Sequence, residues 1–591
     1  MGDSDGDGRA DRREVYYHSF GFKDTHGMTD NFTWGFDGWV YACHGFSNTS
    51  EVRGADEKPI TMQSGNTYRM RPDGSHIEYF THGQVNPFGL AFDPLGNVYS
   101  CDCHSRPLYQ LLRGAWYPSF GKPDDGLGFG PPMLNHDHGS TAISGLVYYA
   151  ADGFPAPFRD NLFIGNVVTN RINRDRLEWS GSTPKAVELP DFLTSDDPWF
   201  RPVDLELGPD GAIYVADFYN RIIGHYEVPL THPGRDRERG RIWRIVYRGP
   251  DAERPKGPAH VDLTKTAEQD LIQSLSHPNL AVRILAANQM VDRPDLKASA
   301  VLNVTLEEFL STNSSPPRKV HALWILERRG RLDDSTLETA ARDDSREVRV
   351  HAMRILGERA ELDGPLHDLV LGGLKDGDAF VRRAAAEALG LHPDASHIRP
   401  LLDLRQSSPA EDTHLVHMTR MALRDQLRPA TSWPRLADLS LSERDATSPT
   451  SPRVSPPPRR PRTCSDTSST SRNPTPSSSA ISVSSRAMPP RRMTCHSWRS
   501  SMTGGERPCR IVWHCSRRSC KETRSVGPTR VPSSPMPPTT SSESSSPRPG
   551  GKTSWRGSRW PDSSGCRTPS RRCSRRSSRA RPPSQSGPRR C

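Results

Sequence analysis

Apolar stretches interrupted by Asp- and Gly-containing turns recur through residues 15–249 of this 591-residue chain. NFTWGFDGWVYACHG (31–45), NPFGLAFDPLGNVYSCDCH (86–104) and RPVDLELGPDGAIYVADFYN (201–220) share one plan. Each has an apolar stretch, a D-G or D-P-x-G-N turn, then a β-rich stretch such as Trp39-Val40-Tyr41. Asp-Gly and Gly-Asn tolerate positive φ, so each unit predicts two antiparallel strands joined by a tight turn. A fourth copy, SGLVYYAADGFPAPFRDNLFIGN (144–166), carries a longer loop. Such units at irregular intervals, with long loops between them, predict a β-propeller of about four blades; a β-sandwich of similar hairpins is the alternative.

The hydrophobic period then changes from two to 3.6 over residues 262–430. HPNLAVRILAANQM (277–290), SPPRKVHALWIL (315–326), DSREVRVHAMRILG (344–357) and GDAFVRRAAAEALG (377–390) each place an Asp, Asn or Pro turn before an amphipathic Ala/Leu helix. Val282, Val320, Val348 and Val381 recur at 38, 28 and 33 residues. The pattern resembles HEAT repeats, whose helix pairs must stack to bury their apolar faces. Arg283 and Arg349 are expected to make inter-repeat or solvent contacts rather than a site.

Beyond residue 440 the composition changes in kind. Residues 441–591 hold 37 Ser and 23 Pro, no Phe or Tyr and a single Leu, too little apolar surface to offset the entropy of ordering. The expected organisation is an acidic segment (1–14), the propeller (15–249), a linker (250–261), the helical repeats (262–430) and a disordered tail (431–591). The formal net charge of +10 divides accordingly: residues 1–440 carry 49 basic and 62 acidic side chains, the remainder 30 and 7. The Arg, Ser, Pro, Cys and Gly bias of the tail fits a GC-rich coding sequence read in a shifted frame. A genuine Arg/Ser-rich RNA-binding tail would show regular repeats, so nucleic acid is not an expected partner.

No run of about 18 apolar residues predicts a membrane span, and MGDSDGDGRADRRE lacks the apolar core of a secretion signal. Only Cys43, Cys101 and Cys103 precede residue 440, which excludes a disulfide-dense scaffold. Asp3, Asp5, Asp7, Gly8 and Glu14 satisfy D-x-D-x-D-G-x5-E, a spacing that lets carboxylates converge on Ca²⁺, although no helix can precede the loop. His136-Asp137-His138 could supply two imidazoles to a metal, but without an accompanying HExxH or third His the expectation is a hydrogen-bonded loop at the propeller mouth. Cys101-Asp102-Cys103-His104 has one residue too few between its cysteines for covalent haem attachment.

Residues 24–249 closely resemble the membrane-bound dehydrogenase family of planctomycete-type bacteria. The resemblance is carried by DTHGMTDNFTWGFDGWVYACHGFSNTS, FTHGQVNPFGLAFDPLGNVYS, LNHDHGSTAISGLVYYAADGFP and DDPWFRPVDLELGPDGAIYVADFYNRIIGHYE. It implies a six-bladed propeller followed by HEAT-like repeats and commonly a cytochrome c, in a periplasmic or envelope setting. The same region resembles soluble aldose dehydrogenases that use pyrroloquinoline quinone and Ca²⁺. Their His before F-G-P-D-G-x-L-Y resembles His26 before Phe32–Tyr41, and their R-N-P-Q-G-L-A resembles Val85-Asn86-Pro87-Phe88-Gly89-Leu90-Ala91. Their E-H-G-P resembles Asp102-Cys103-His104, and their basic residue before the last P-D-G-x-L-Y strand resembles Arg201.

By this resemblance His26 is the general base that takes a substrate hydroxyl proton, with Asn86, Arg201 and His104 holding the quinone. Val85 replaces the Arg beside the Asn, and Val168 stands where a cofactor-binding Lys would follow the L-F-I-G strand. Charge-assisted pairs worth about 1.5–3 kcal/mol each are thereby lost. The leading expectation is a dehydrogenase-like protein acting on a sugar or alcohol hydroxyl and passing electrons towards a cytochrome. It would lack about two N-terminal blades and be inactive if the truncation disables it. The alternative is a non-catalytic module whose propeller face and HEAT groove bind carbohydrate or protein.

Overall fold

The computed structural model describes residues 9–140, 142–224, 228–248, 262–429 and the strand 511–515. The acidic residues Asp3, Asp5 and Asp7, the linker and nearly all of the tail lie outside the described residues.

Four antiparallel sheets realise the repeated strand-turn-strand plan. The first runs β1 (Asp30–Trp34), β2 (Val40–His44), β5 (Asn66–Met70), β6 (Ile77–Gly83), with β10 (Trp116–Tyr117) added parallel to β6. The hairpin β3 (Thr49–Arg53) and β4 (Pro59–Gln63) stands apart from it. The second sheet is β7 (Asn86–Phe92), β8 (Val98–Cys103), β9 (Leu108–Leu111). The third is β11 (Ile143–Tyr148), β12 (Asn161–Asn166), β13 (Arg171–Ser180), β14 (Thr183–Thr194). The fourth is β15 (Pro202–Leu207), β16 (Ile213–Asp217), β17 (Arg241–Tyr247), and β18 (Ile511–Cys515) pairs antiparallel with β17. A segment of the region expected to be featureless thus joins a ladder.

The turn chemistry explains why the hairpins form. Asp37, Asp93 and Asp210 accept hydrogen bonds from Tyr41 (2.8 Å), Tyr99 (3.0 Å) and Tyr214 (3.2 Å) on the following strands. The same carboxylates accept backbone N–H groups inside their own turns. Gly38, Gly96 and Gly211 supply the positive φ these turns need.

The first strands β1, β7, β11 and β15 lie side by side in that order. Each carries a bulge at the corresponding place: Asp30/Thr33, Pro87/Gly89, Ser144/Leu146 and Pro202/Asp204. A bulge bends the strand and re-aims a side chain, here four times at the same end of the sheets. Gly145 (φ 73°) lets β11 touch β15, since a Cβ there would sit 2.5 Å from the Asp204 Cα. No such packed contact joins β15 back to β1, so among the described residues the ring of sheets is not closed. The hydrogen bond from Asn31 Nδ2 to Asp204 Oδ1 (3.2 Å) reaches across that side.

Eleven α-helices follow among the described residues, in two rows. One row is α2 (Leu280–Asp292), α5 (Pro316–Arg328), α7 (Arg346–Glu358), α9 (Ala379–Leu391) and α11 (Thr413–Gln426), each packed on the next. The other contains α1 (Glu268–Ser274), α4 (Ala300–Ser311), α6 (Asp334–Ala341), α8 (Gly364–Gly373) and α10 (Ile398–Ser407), with the short α3 (Pro294–Lys297) between α2 and α4. Asn279, Asp378 and Asp412 cap α2, α9 and α11 by accepting first-turn N–H groups, as the Asn and Asp turns predict. Val282, Val320, Val348 and Val381 are all buried. Arg349 reaches the next repeat, pairing with Asp376 at 2.8 and 3.1 Å.

The α2–α11 row faces this chain's own sheets. His351 Nε2 donates to Pro94 O (3.0 Å), Arg354 Nε to Leu95 O (3.1 Å) and Asn279 Nδ2 to Gly208 O (2.7 Å). Arg383 reaches Gln110 Oε1 (3.0 Å) and Ser182 O (2.6 Å), and Asp412 accepts from Ser182 N (2.8 Å). A continuous apolar core runs from Phe36, Tyr41 and Phe92 into Leu323, Ile355 and Leu389. The α2–α11 face of the repeats is therefore occupied by the hairpin turns of the same chain.

Candidate functional site

The bulged ends of the four first strands surround a cavity of about 880 Å³. His26, Asn86 and His104, remote from one another in sequence, all line it. His26 sits exposed on the loop before β1, and His104 (φ 80°) directly follows β8.

The His26 loop is held from both sides. Asn48 brackets Asp24, accepting from its N–H and donating to its carbonyl, both at 2.9 Å. Asp24 in turn accepts the His26 N–H (2.9 Å). Asn86 Nδ2 donates to His26 O (3.1 Å), while its Oδ1 accepts from Phe46 N (2.7 Å). With both ends of its amide engaged, buried Asn86 is a clamp on two loops of the cavity wall. Gly45 makes room for it, because a Cβ there would lie 2.2 Å from Asn86 Oδ1.

Beneath this wall, buried Asp102 accepts from Val85 N (3.0 Å), Asn86 N (2.7 Å) and the Ser105 hydroxyl. Burial outweighs these bonds and pushes its carboxyl up to about 7. Across the cavity, burial lifts Asp204 to about 6. Burial, and then the neighbouring Asp204, hold Asp30 well above the usual carboxylate range. Asp30 and Asp204 thus offer the cavity carboxyl groups whose ionised form is disfavoured by burial. Phe46, Phe88, Phe120 and Phe218 add aromatic surface, with Phe46 and Phe120 edge-to-face at 5.4 Å.

Arg201 is not among the lining residues. Its guanidinium donates to Asn220 O (2.9 Å), Val167 O (2.6 Å) and Arg221 O (3.2 Å), which makes it a brace behind the wall. Val85 is buried and gives only its N–H to Asp102, whereas Val168 does line the cavity. Among the described residues the wall offers three aspartates, Asp24, Asp30 and Asp204, and no Lys or Arg. A tricarboxylate quinone would therefore meet no fixed cation, a poor fit to pyrroloquinoline quinone. Glu14, the described member of the acidic N-terminal motif, is engaged by Arg12 (Nε, 3.0 Å) and Tyr16 (2.8 Å).

Sequence reasoning did not single out Asp24, Asp30, Asp204, Phe46 or Phe120 as site residues. The signal available was positional: Asp30 and Asp204 occupy the equivalent bulge of the first and last copies.

Known proteins add the following. A family described as a domain of unknown function (DUF7133) matches residues 1–125 and 128–249, and HEAT repeats match residues 334–416. No curated protein matches the sequence. Among solved structures the chain is similar to an oxidoreductase (glucose dehydrogenase) from Thermus thermophilus, with 15% identity, 33% of this chain and 78% of that chain covered, and a TM-score of 0.24. It is also similar to the PQQ-bound aldose sugar dehydrogenase of Streptomyces coelicolor, at 16% identity, 31% and 70% coverage and a TM-score of 0.21. A third similar structure is YIBA of Escherichia coli, at 14% identity, 32% and 80% coverage and a TM-score of 0.22. Likeness at this level transfers no residue role.

Proposed function

We propose that the sheet domain binds a neutral polyhydroxylated molecule, a mono- or disaccharide, in the cavity bounded by His26, Asn31, His104 and Asp204. The observation that carries this reading is the lining itself: aromatic faces beside carboxyl, imidazole and hydroxyl groups, with no Lys or Arg among the described residues. Aromatic rings cover the apolar C–H face of a sugar, while carboxylates and imidazoles exchange hydrogen bonds with its hydroxyls. Without a Lys or Arg among the described lining residues, an anionic ligand would find no fixed counter-charge there.

Oxidation of a bound hydroxyl is the second reading, favoured by the exposure of His26 to the cavity. There His26 would take the hydroxyl proton. The hydride requires a bound acceptor, and transfer onward to a cytochrome belongs to that reading too. The lack of a Lys or Arg among the described lining residues argues against pyrroloquinoline quinone as the acceptor.

Calorimetric titration of the full chain with neutral sugars, sugar acids and amino sugars tests the first reading. Neutral sugars are expected to bind, with affinity falling about tenfold or more (1.4 kcal/mol) in Phe120→Ala and His26→Ala. Binding confined to sugar acids, or no binding at all, would refute it. Dye reduction by an aldose after addition of quinone and Ca²⁺, abolished in His26→Ala, would establish the second reading instead.

A further inference from the structure

Outside the cavity, the HDH stretch meets a carboxylate that its sequence neighbourhood does not reveal. His136 and His138 lie on the loop before β11, and Asp175 lies on β13. His136 Nε2 is 2.8 Å from Asp175 Oδ1, and His138 Nε2 is 2.8 Å from Asp175 Oδ2. The side chains of His138 and Asp175 are fully buried, that of His136 partly so. Among the described residues, no Lys or Arg pairs with the Asp175 carboxylate.

Three observations point to a ligand here. First, Asp175 faces Glu188 directly across the β13–β14 ladder, so two carboxylates share one face of the sheet and favour a cation beside them. Second, both ring nitrogens of His138 face carboxylate oxygens, Nδ1 lying 3.3 Å from Glu188 Oε1. A neutral imidazole carries one N–H and can donate to only one of them. With Nε2 ligating an ion and Nδ1–H donating to Glu188, neutral His138 satisfies both contacts, the usual outer-shell support of a metal-bound histidine. Third, the loop is fixed by the protein: Ala186 N donates to Met133 O (2.7 Å), Arg106 to Leu134 O (2.9 Å) and Asn166 Nδ2 to His138 O (3.1 Å).

We propose that His136, His138 and Asp175 bind a divalent transition-metal ion of the Zn²⁺ class, with Glu188 orienting His138. The three ligand atoms lie within 4.8 Å of one another. Metal–ligand bonds of about 2.0–2.1 Å in a tetrahedron space the ligand atoms roughly 3.3 Å apart, so entry needs the imidazole beside the ligating Asp175 oxygen to retract by about 0.5 Å. Two imidazoles and one carboxylate, without thiolate, suit Zn²⁺, Co²⁺ or Fe²⁺ and not the all-oxygen shell of Ca²⁺. Recesses of about 440 and 570 Å³, on the His138 and His136 sides respectively, give an ion and its water ligands access. The loop continues through Gly139 and Ser140 into the wall of the large cavity, so the ion would brace that wall.

The test is Co²⁺ and Zn²⁺ titration of the chelator-treated full chain, followed by visible d–d absorption and elemental analysis. About one equivalent of Co²⁺ is expected to give d–d bands without thiolate charge transfer, and Zn²⁺ should displace it. His136→Ala should abolish the bands while circular dichroism is retained, and Glu188→Gln should weaken binding about 10–100-fold. Failure of the folded wild-type chain to take up ion would overturn the site. So would uptake unchanged in both His136→Ala and Asp175→Asn, or bands dominated by thiolate charge transfer, which would place the ion on cysteines. None of these outcomes depends on saccharide binding.

Discussion

Asn86, singled out by resemblance, has a structural part to play in three dimensions as well. Its amide closes one hydrogen bond to the His26 loop and one to the Phe46 loop, so it fixes two loops of the cavity wall. Asn86→Ala removes both of these hydrogen bonds, at a cost of about 1–3 kcal/mol in urea unfolding. Amide hydrogen exchange at Phe46 should rise in step. Exchange unchanged from wild type would show that the clamp is redundant. Arg201 is a similar case, since its guanidinium is engaged by three carbonyls that no pattern around residue 201 announces.

Elements were legible where the signal was local. The D-G turns work because an aspartate, a glycine and a tyrosine within a few residues complete the hairpin by themselves. The helical repeat was visible for the same reason, and one of its devices recurs by number. Arg283, Arg349 and Arg382 each donate to the carbonyls five and six residues earlier, tying the helix to the turn that starts it. What could not be read was which partners meet across hundreds of residues. Glu358 at the end of α7 takes a bidentate pair from Arg69 (2.9 and 2.8 Å) and a third bond from Arg113 (2.8 Å). Those arginines hold Glu358 below the usual carboxylate range despite its burial. Glu358→Gln leaves Arg69 with Asp37 and Glu78 as its carboxylate partners. Breaking such a buried pair costs about 3–5 kcal/mol, and the lower end is expected because two carboxylates remain. Denaturant titration with Glu358→Gln and Arg113→Gln measures it; additive losses would disprove a shared network.

At the scale of the whole molecule, the helix–sheet junction is sensitive to acid. Burial pushes His351 down to about 3 and His417 down to about 4, and holds His321 well below its ordinary value. A histidine whose folded value is depressed contributes stability above about pH 6.5 and loses it as pH falls towards the folded value. His351 accepts from Trp324 Nε1 (2.9 Å) and donates to Pro94 O, so protonation breaks the first of these bonds. Asp102 and Asp204 act in the opposite sense, since their raised values favour the folded state as pH falls. The contrast with His351→Gln isolates the junction: the wild type should lose more stability than the variant between about pH 7 and pH 5. Parallel melting curves would exclude the effect.

The turns of the sheets are each gripped from outside, by Arg328 at Gly38, by His351 and Arg354 around Gly96, by Asp412 at Gly181 and by Asn279 at Gly208. The helical row therefore works as a splint. A ring of sheets ordinarily fixes its own geometry by meeting its starting point, which permits only certain numbers of sheets. A splinted set needs no such meeting. Its extent is set by how many helices there are to hold it, so sheets could be lost or gained at the open side without undoing the angle between those that remain.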